Sequence, residues 1–204
     1  MPDSQGFQSA YDNLRQLSLY SDNPQLIVSN RRVQTFSNTF SAAAGAITSQ
    51  VGTIALAPPA GGFAVDSGAL IDQLQLTLSA SAVGASQATS ATLAAVGFDL
   101  EPTPQTGSTG EPIGQNVATG LLIPTISSGV GTGLNAIIIP QGQPYLVAFR
   151  DWQKDPLMPG LTFPFTTLNL NGSFAVANGN AAAITIAFQI TLKWRLVSGI
   201  SNEG

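Results

Sequence analysis

The stretch from Ala183 to Val197, AITIAFQITLKWRLV, limits what this chain can fold into more than any other part of it. Ile184, Ile186, Phe188, Ile190, Leu192, Trp194 and Leu196 are apolar and occupy the even positions. Thr185, Ala187, Gln189, Thr191, Lys193 and Arg195, which are small, polar or charged, fill the odd ones. Side chains on a strand point to alternate faces, so the pattern predicts one long strand with one face for a core and one for water or a neighbour. A helix would scatter the same apolar residues around its circumference.

The same alternation recurs upstream. In Leu70 to Val83, Leu74, Leu76, Leu78, Ala80 and Ala82 share a face opposite Gln73, Gln75, Thr77, Ser79 and Ser81. In Thr166 to Ala177, Leu168, Leu170, Phe174 and Val176 stand against Thr167, Asn169, Asn171 and Ser173. Between that segment and the opening strand lies Asn178-Gly179-Asn180, whose glycine suits a tight turn, so the two are expected to form an antiparallel hairpin. Further strand segments are Gln25 to Ser29, Arg32 to Phe40, Val51 to Ala57, Thr92 to Leu100, Leu134 to Ile139 and Tyr145 to Phe149. The last two are joined at the turn-forming run Pro140 to Pro144. Many strands punctuated by glycine and proline turns predict an all-β sandwich or barrel. Irregular strand lengths and long loops favour a single jelly roll over a regular up-and-down barrel.

Residues 1–20 differ from the rest. Phe7, Ala10, Tyr11, Leu14 and Leu17 recur at helical spacing, which predicts a short helical arm ahead of one β domain over residues 21–204. Two roles stay open for it: packing on its own domain, or docking on a neighbouring subunit or an underlying surface through Phe7, Tyr11, Leu14 and Leu17. The Pro/Gly-rich run Glu101 to Gly120 reads as a long loop, either partner-facing or simply mobile.

Charged residues make up 9% of the chain, against roughly 25% in ordinary soluble domains. Ser, Thr, Asn and Gln supply the polarity instead. A surface so poor in charge suits either a neutral extracellular β protein or a subunit largely covered by copies of itself, since interface centres shed charge. The net charge of −4 and seven dispersed basic residues argue against strong nucleic-acid binding. No charged segment precedes an apolar one at the start, and no apolar run approaches the length of a membrane span. A soluble chain without a Sec-type address is therefore expected.

Histidine and cysteine are absent, which removes His-dependent triads, His-ligated zinc, thiol nucleophiles and disulfides. Carboxylates remain. Asp99 and Glu101 share a face at the end of a strand just before the long loop; they are read as solvated, as a weak Ca²⁺ site, or least of all as a glycosidase pair. Beyond that structural Ca²⁺, no cofactor is expected and no enzymatic activity. Trp152, among Arg150, Asp151, Lys154 and Asp155, is expected to anchor a loop or a subunit contact rather than stack on a sugar. Gly129-Val130-Gly131-Thr132-Gly133 lacks the Lys-Ser/Thr of a phosphate loop, and the sequon Asn171-Gly172-Ser173 falls inside a strand.

Taken as a whole, the arm at residues 1–20, the charge-poor strands, the Gly/Pro loops and the long strands from Thr166 to Val197 resemble the single jelly-roll coat proteins of tailless icosahedral viruses of bacteria or archaea. The resemblance is one of style, without a signature motif. It implies a virion subunit of an icosahedral shell in many copies, meeting itself and other capsid proteins, with the arm in reach of an internal membrane. Phage decoration, spike and fibre-head proteins share the style. A secreted carbohydrate-binding sandwich is the rival from another class, and the scattered placing of Tyr11, Tyr20, Tyr145 and Trp152 argues against its row of exposed aromatics.

Overall fold

The computed structural model describes residues 27–80, 89–102, 115–120, 125–128, 133–153 and 161–200. In chain order they form β1 (Ile27–Val28), β2 (Arg32–Ala42), β3 (Ile47–Leu56), β4 (Ser67–Ala80), β5 (Thr89–Pro102), β6 (Gln115–Gly120) and β7 (Thr125–Ser128). There follow β8 (Gly133–Ile139), β9 (Tyr145–Ala148), the single helical turn α1 (Arg150–Gln153), β10 (Leu168–Asn178) and β11 (Ile184–Ser198). All but the first residue of the stretch from Ala183 to Val197 thus falls in the longest strand, β11, and its even residues from Ile184 to Leu196 are all buried.

The strands make two sheets, one of six and one of five, and every pairing is antiparallel. Several strands are halves of one broken strand. β8 runs along Leu74–Ser79 of β4 and β9 continues along Gly68–Ile71, so Pro140 to Pro144 interrupts a strand rather than turning a hairpin. β6 and β7 likewise share one side of β5, and β1 and β2 share one side of β11. Collapsing these halves leaves eight strand positions, ordered β2–β11–β4–β8/β9 and β3–β10–β5–β6/β7. First pairs with last, second with seventh, third with sixth, and fourth with fifth. A long antiparallel hairpin rolled up on itself gives this order, and it is a jelly roll.

The hairpin expected at Asn178-Gly179-Asn180 does not form. β10 lies in the five-stranded sheet between β3 and β5, and β11 lies in the other between β2 and β4. The chain changes sheets there so that the apolar faces of the two strands meet across the core instead of lying side by side. Asn178, 2% exposed, holds that corner. Its Nδ2 donates to the carbonyls of Ala42 (3.0 Å), Ala43 (3.1 Å) and Ala182 (3.0 Å), and its backbone N–H donates to Ala46 O at 2.9 Å. The β2-to-β3 crossing, which also changes sheets, is thereby tied to the β10-to-β11 crossing.

Between the sheets Phe188 meets Phe174 edge-on at 4.8 Å and Phe40 at 6.1 Å. Close approach is made possible by a row of two glycines paired across β3 and β10, Gly52 and Gly172. A Cβ on Gly172 would meet Phe98 Cε1 at 2.5 Å and Ile190 Cδ1 at 3.0 Å; one on Gly52 would meet Ile190 Cδ1 and Phe36 Cδ1 at 2.8 Å. Aromatic rings thus fill the volume the glycines leave. A second aromatic group, Phe63, Phe149, Trp152 and Phe165, packs the same core.

The expected inward set of β4, Leu74, Leu76 and Leu78, is fully buried. Below Gln73 the pattern shifts, because Lys193 pairs with Gln73 and Trp194 with Ile71, which leaves Asp72 as an extra, bulged residue. The bulge turns Ile71 and Ala69 to the main core and sends Leu70 outward, into a small cluster with Ala148, Val197 and Ile200. It also aims Asp72 at two guanidinium groups. Arg195 donates from Nε (2.8 Å) and Nη2 (2.7 Å), and Arg31 from Nε (3.1 Å). Asp72 is 4% exposed, so its burial depends on these charge-assisted bonds.

Phe188→Ala is expected to lower stability by about 3–5 kcal/mol and Thr191→Ala, on the opposite face, by under about 1 kcal/mol, measured by chemical denaturation. Gly172→Ala is expected to cost about 1–3 kcal/mol despite adding apolar volume, because the Phe98 ring must move to admit it.

Candidate functional site

Asp99 and Glu101 sit where the sequence places them, on the outward face of the five-stranded sheet near the end of β5. Asp99 pairs with Asn171 of β10 and Asn116 of β6, and Glu101 pairs with Asn169. Asn171 links three strands: its Nδ2 donates to Glu101 Oε2 at 2.9 Å, and its Oδ1 accepts from Thr53 Oγ1 at 3.0 Å. Both ends of that amide are engaged, so the sequon asparagine serves the sheet. The expectation of a solvated pair does not hold for Asp99, whose Oδ2 is buried and has no hydrogen-bond partner among the described residues. Burial above all, and then the neighbouring Glu101 carboxylate, raise the Asp99 carboxyl above its ordinary pKa, against a lowering contribution from its own backbone N–H.

Chemically this is a carboxylate pair on a flat, hydrogen-bonded face. Successive same-face residues of one strand lie about 7 Å apart and point in the same direction, whereas glycosidic cleavage needs carboxyl groups on opposite sides of the bond. Ca²⁺ takes six to eight oxygens, and no group of three or more acidic side chains gathers among the described residues. The pair alone therefore falls short of a cation cage.

Of the two anchoring roles open to Trp152, the subunit contact does not fit its burial: it is 1% exposed and stacks on Phe149 at 5.2 Å, with Phe165 at 6.1 Å, so it anchors its own segment to the core. Its indole N–H has no partner among the described residues. The run expected as a loop from Glu101 to Gly120 is strand at both ends, in β5 and in β6, and its residues 103–114 lie outside the described residues. So do Phe7, Tyr11, Leu14 and Leu17 with the membrane contact suggested for the arm, Gly129 to Thr132, Lys154 and Asp155.

The sequence reading missed the outward face of the six-stranded sheet as a surface. There Gln75 Nε2 and Thr77 Oγ1 both donate to Asn135 Oδ1 (3.2 and 2.9 Å), and Gln189 Nε2 donates to Ser37 Oγ at 3.4 Å. Ser37, Asn38, Thr39, Thr77, Ser79, Ala187, Phe188 and Gln189 line a shallow, open depression of about 480 Å³. The signal was the run of neutral polar residues at the outward positions of four separate strands, which only the pairing brings side by side.

No protein-family model matches the chain, and no curated protein matches it in sequence. Among solved structures it is similar to a chain of infectious bursal disease virus, Gx strain, at 14% identity and a TM-score of 0.32, covering 83% of this chain and 41% of that one. A chain of the infectious bursal disease virus VP2 subviral particle is similar at 14% identity and a TM-score of 0.30, covering 82% and 40%. A chain of Desmodium yellow mottle tymovirus is similar at 12% identity and a TM-score of 0.24, covering 82% and 89%. The chain thus spans about two fifths of the length of the bursal disease virus chains. Its jelly roll is assigned by its own strand pairing, not by these likenesses.

Asp99→Asn is expected to raise the melting temperature at neutral pH. A carboxyl with a raised folded pKa destabilises the fold once ionised, so the gain is absent below the ordinary value of 3.8 and develops as pH rises above it. Thermal melts of both proteins from pH 3 to pH 8 check the sign.

Proposed function

We propose that this chain is a non-enzymatic structural subunit of a virus shell, built into it in many copies and located in the virion. The carrying observation is the character of its outward faces. The jelly roll buries most of its apolar residues within the subunit, and the exposed sides of both sheets are lined mainly by Ser, Thr, Asn, Gln, Ala and a few isolated aliphatics. Among the described residues, charge on those sides is confined to Lys193 and to Asp72 with Arg31 and Arg195 on one, and to Asp99 and Glu101 on the other. Val33, Ile47, Val51 and Ile137, between 56% and 73% exposed, are spread over those faces. Such surfaces lack the like-charge repulsion that keeps monomers apart, and their side chains already bond to one another. Burying them against another copy leaves few polar groups unsatisfied. The finer reading, an icosahedral shell of a tailless virus of bacteria or archaea, rests on the resemblance in sequence style.

Mass photometry and negative-stain microscopy of the purified chain test the reading. Defined oligomers or closed particles are expected, and a clean monomer at high concentration would overturn it. Deleting residues 1–20 is expected to leave a folded domain that assembles less, as followed by circular dichroism and sedimentation velocity.

A further inference from the structure

Charge on the two outward faces is unevenly matched. Among the described cations, Arg31 and Arg195 are held by Asp72, Arg150 lies 3.8 Å from Asp151, and Arg32 lies over the Trp194 ring at 5.2 Å. Lys193, outward on β11 between Val33 and Gln73, has no such partner among the described residues. On the opposite side of the subunit, Asp99 and Glu101 have no cation partner among the described residues either. Among the described residues, the six-stranded face thus carries net positive charge, from Lys193 and from two guanidinium groups sharing the one Asp72 carboxylate, and the five-stranded face carries two carboxylates without a cation.

Each face also carries one half of a shape match. The six-stranded sheet has its depression around Ala187 and Gln189. The five-stranded sheet has Val51, 73% exposed, standing on β3 beside the small residues Ser173 and Gly97. The spacings agree. Lys193 lies five residues along β11 from the middle of the depression, about 17 Å. Glu101 lies four residues along and two strands across from Val51, also about 17 Å.

We propose that copies of this chain stack face to back. Val51 on the five-stranded sheet of one copy enters the depression on the six-stranded sheet of the next, and Glu101 of the first pairs with Lys193 of the second. This rests on the shell reading above and names its contact. Four strand positions about 4.8 Å apart and about nine residues long span about 500 Å² of sheet, so two faces bury about 1,000 Å², the lower end for a specific contact. Because different faces meet, the contact repeats from copy to copy, closing into rings or shells where the rotation allows.

Sedimentation velocity over a concentration series tests the pairing, with circular dichroism confirming the fold of each variant. Lys193→Glu and Glu101→Lys are each expected to weaken self-association at least about tenfold, and the double reversal to restore it. Ala187→Arg, which fills the depression, is expected to weaken it without rescue by either reversal. If the native chain self-associates and the single reversals associate equally well, or the double reversal fails to rescue, the stacking is wrong while the shell reading stands. If the native chain is monomeric throughout, both are wrong.

Discussion

The structure depends on a face-to-face contact between two strands that are neighbours in sequence but not in hydrogen bonding. β10 and β11 each present an unbroken apolar face, and each lies in the interior of a different sheet. Their meeting through Phe174 and Phe188 sets the separation of the layers. Gly52 and Gly172 set how far that separation can shrink, since any side chain there would collide with Ile190 and an aromatic ring. The remaining strands extend these two outward. Asn178 keeps the crossing in place by donating to carbonyls on both connections, Ala42 and Ala43 after β2 and Ala182 before β11.

Much of the fold was legible because a period of two is a strong signal. The inward residues of β4, β10 and β11 were readable directly from the alternation, and so was the all-β class. The β10–β11 connection was not, for a physical reason. A hairpin and a change of sheet need the same alternation on both strands and the same turn chemistry between them. They differ only in whether the two apolar faces end up side by side or opposed, and long-range pairing with β3 and β2 decides that. The turn at Pro140 to Pro144 was legible, but not its outcome, since a turn-forming run does not say whether the chain returns on itself or resumes its course. The Asp72 bulge was hidden because one extra residue reverses the faces beyond it, and no local residue type announces the slip.

The site residues divide along a similar line. Asp99 and Glu101 were readable as a same-face pair, because strand geometry alone places them there. Their setting, with Asn171 bridging from Glu101 to Thr53, required the pairing of three strands. Which of its two anchoring roles Trp152 takes was not legible, because its sequence neighbours are charged while its spatial neighbours are Phe149 and Phe165. The neutral outward faces were present in the composition as a shortage of charge, but only the register shows Ser37, Gln189, Thr77 and Asn135 forming one row across four strands.

The interrupted strands have a consequence for crowding. Three of the four sheet borders are made of split segments: β1/β2, β6/β7 and β8/β9. The fourth, β3, is continuous, but Gln34 Nε2 and Arg32 Nη1 occupy the carbonyls of Ala55 and Ala57 beside it, at 2.7 and 2.6 Å. A long uninterrupted border would offer a row of free amides and carbonyls on which a strand from another molecule could zip, the route to amyloid-like fibres. A protein with so little charge has no electrostatic defence against that outcome when many copies are made together. Splitting the borders removes the template, and leaves the broad faces as the surfaces through which such a crowd can meet.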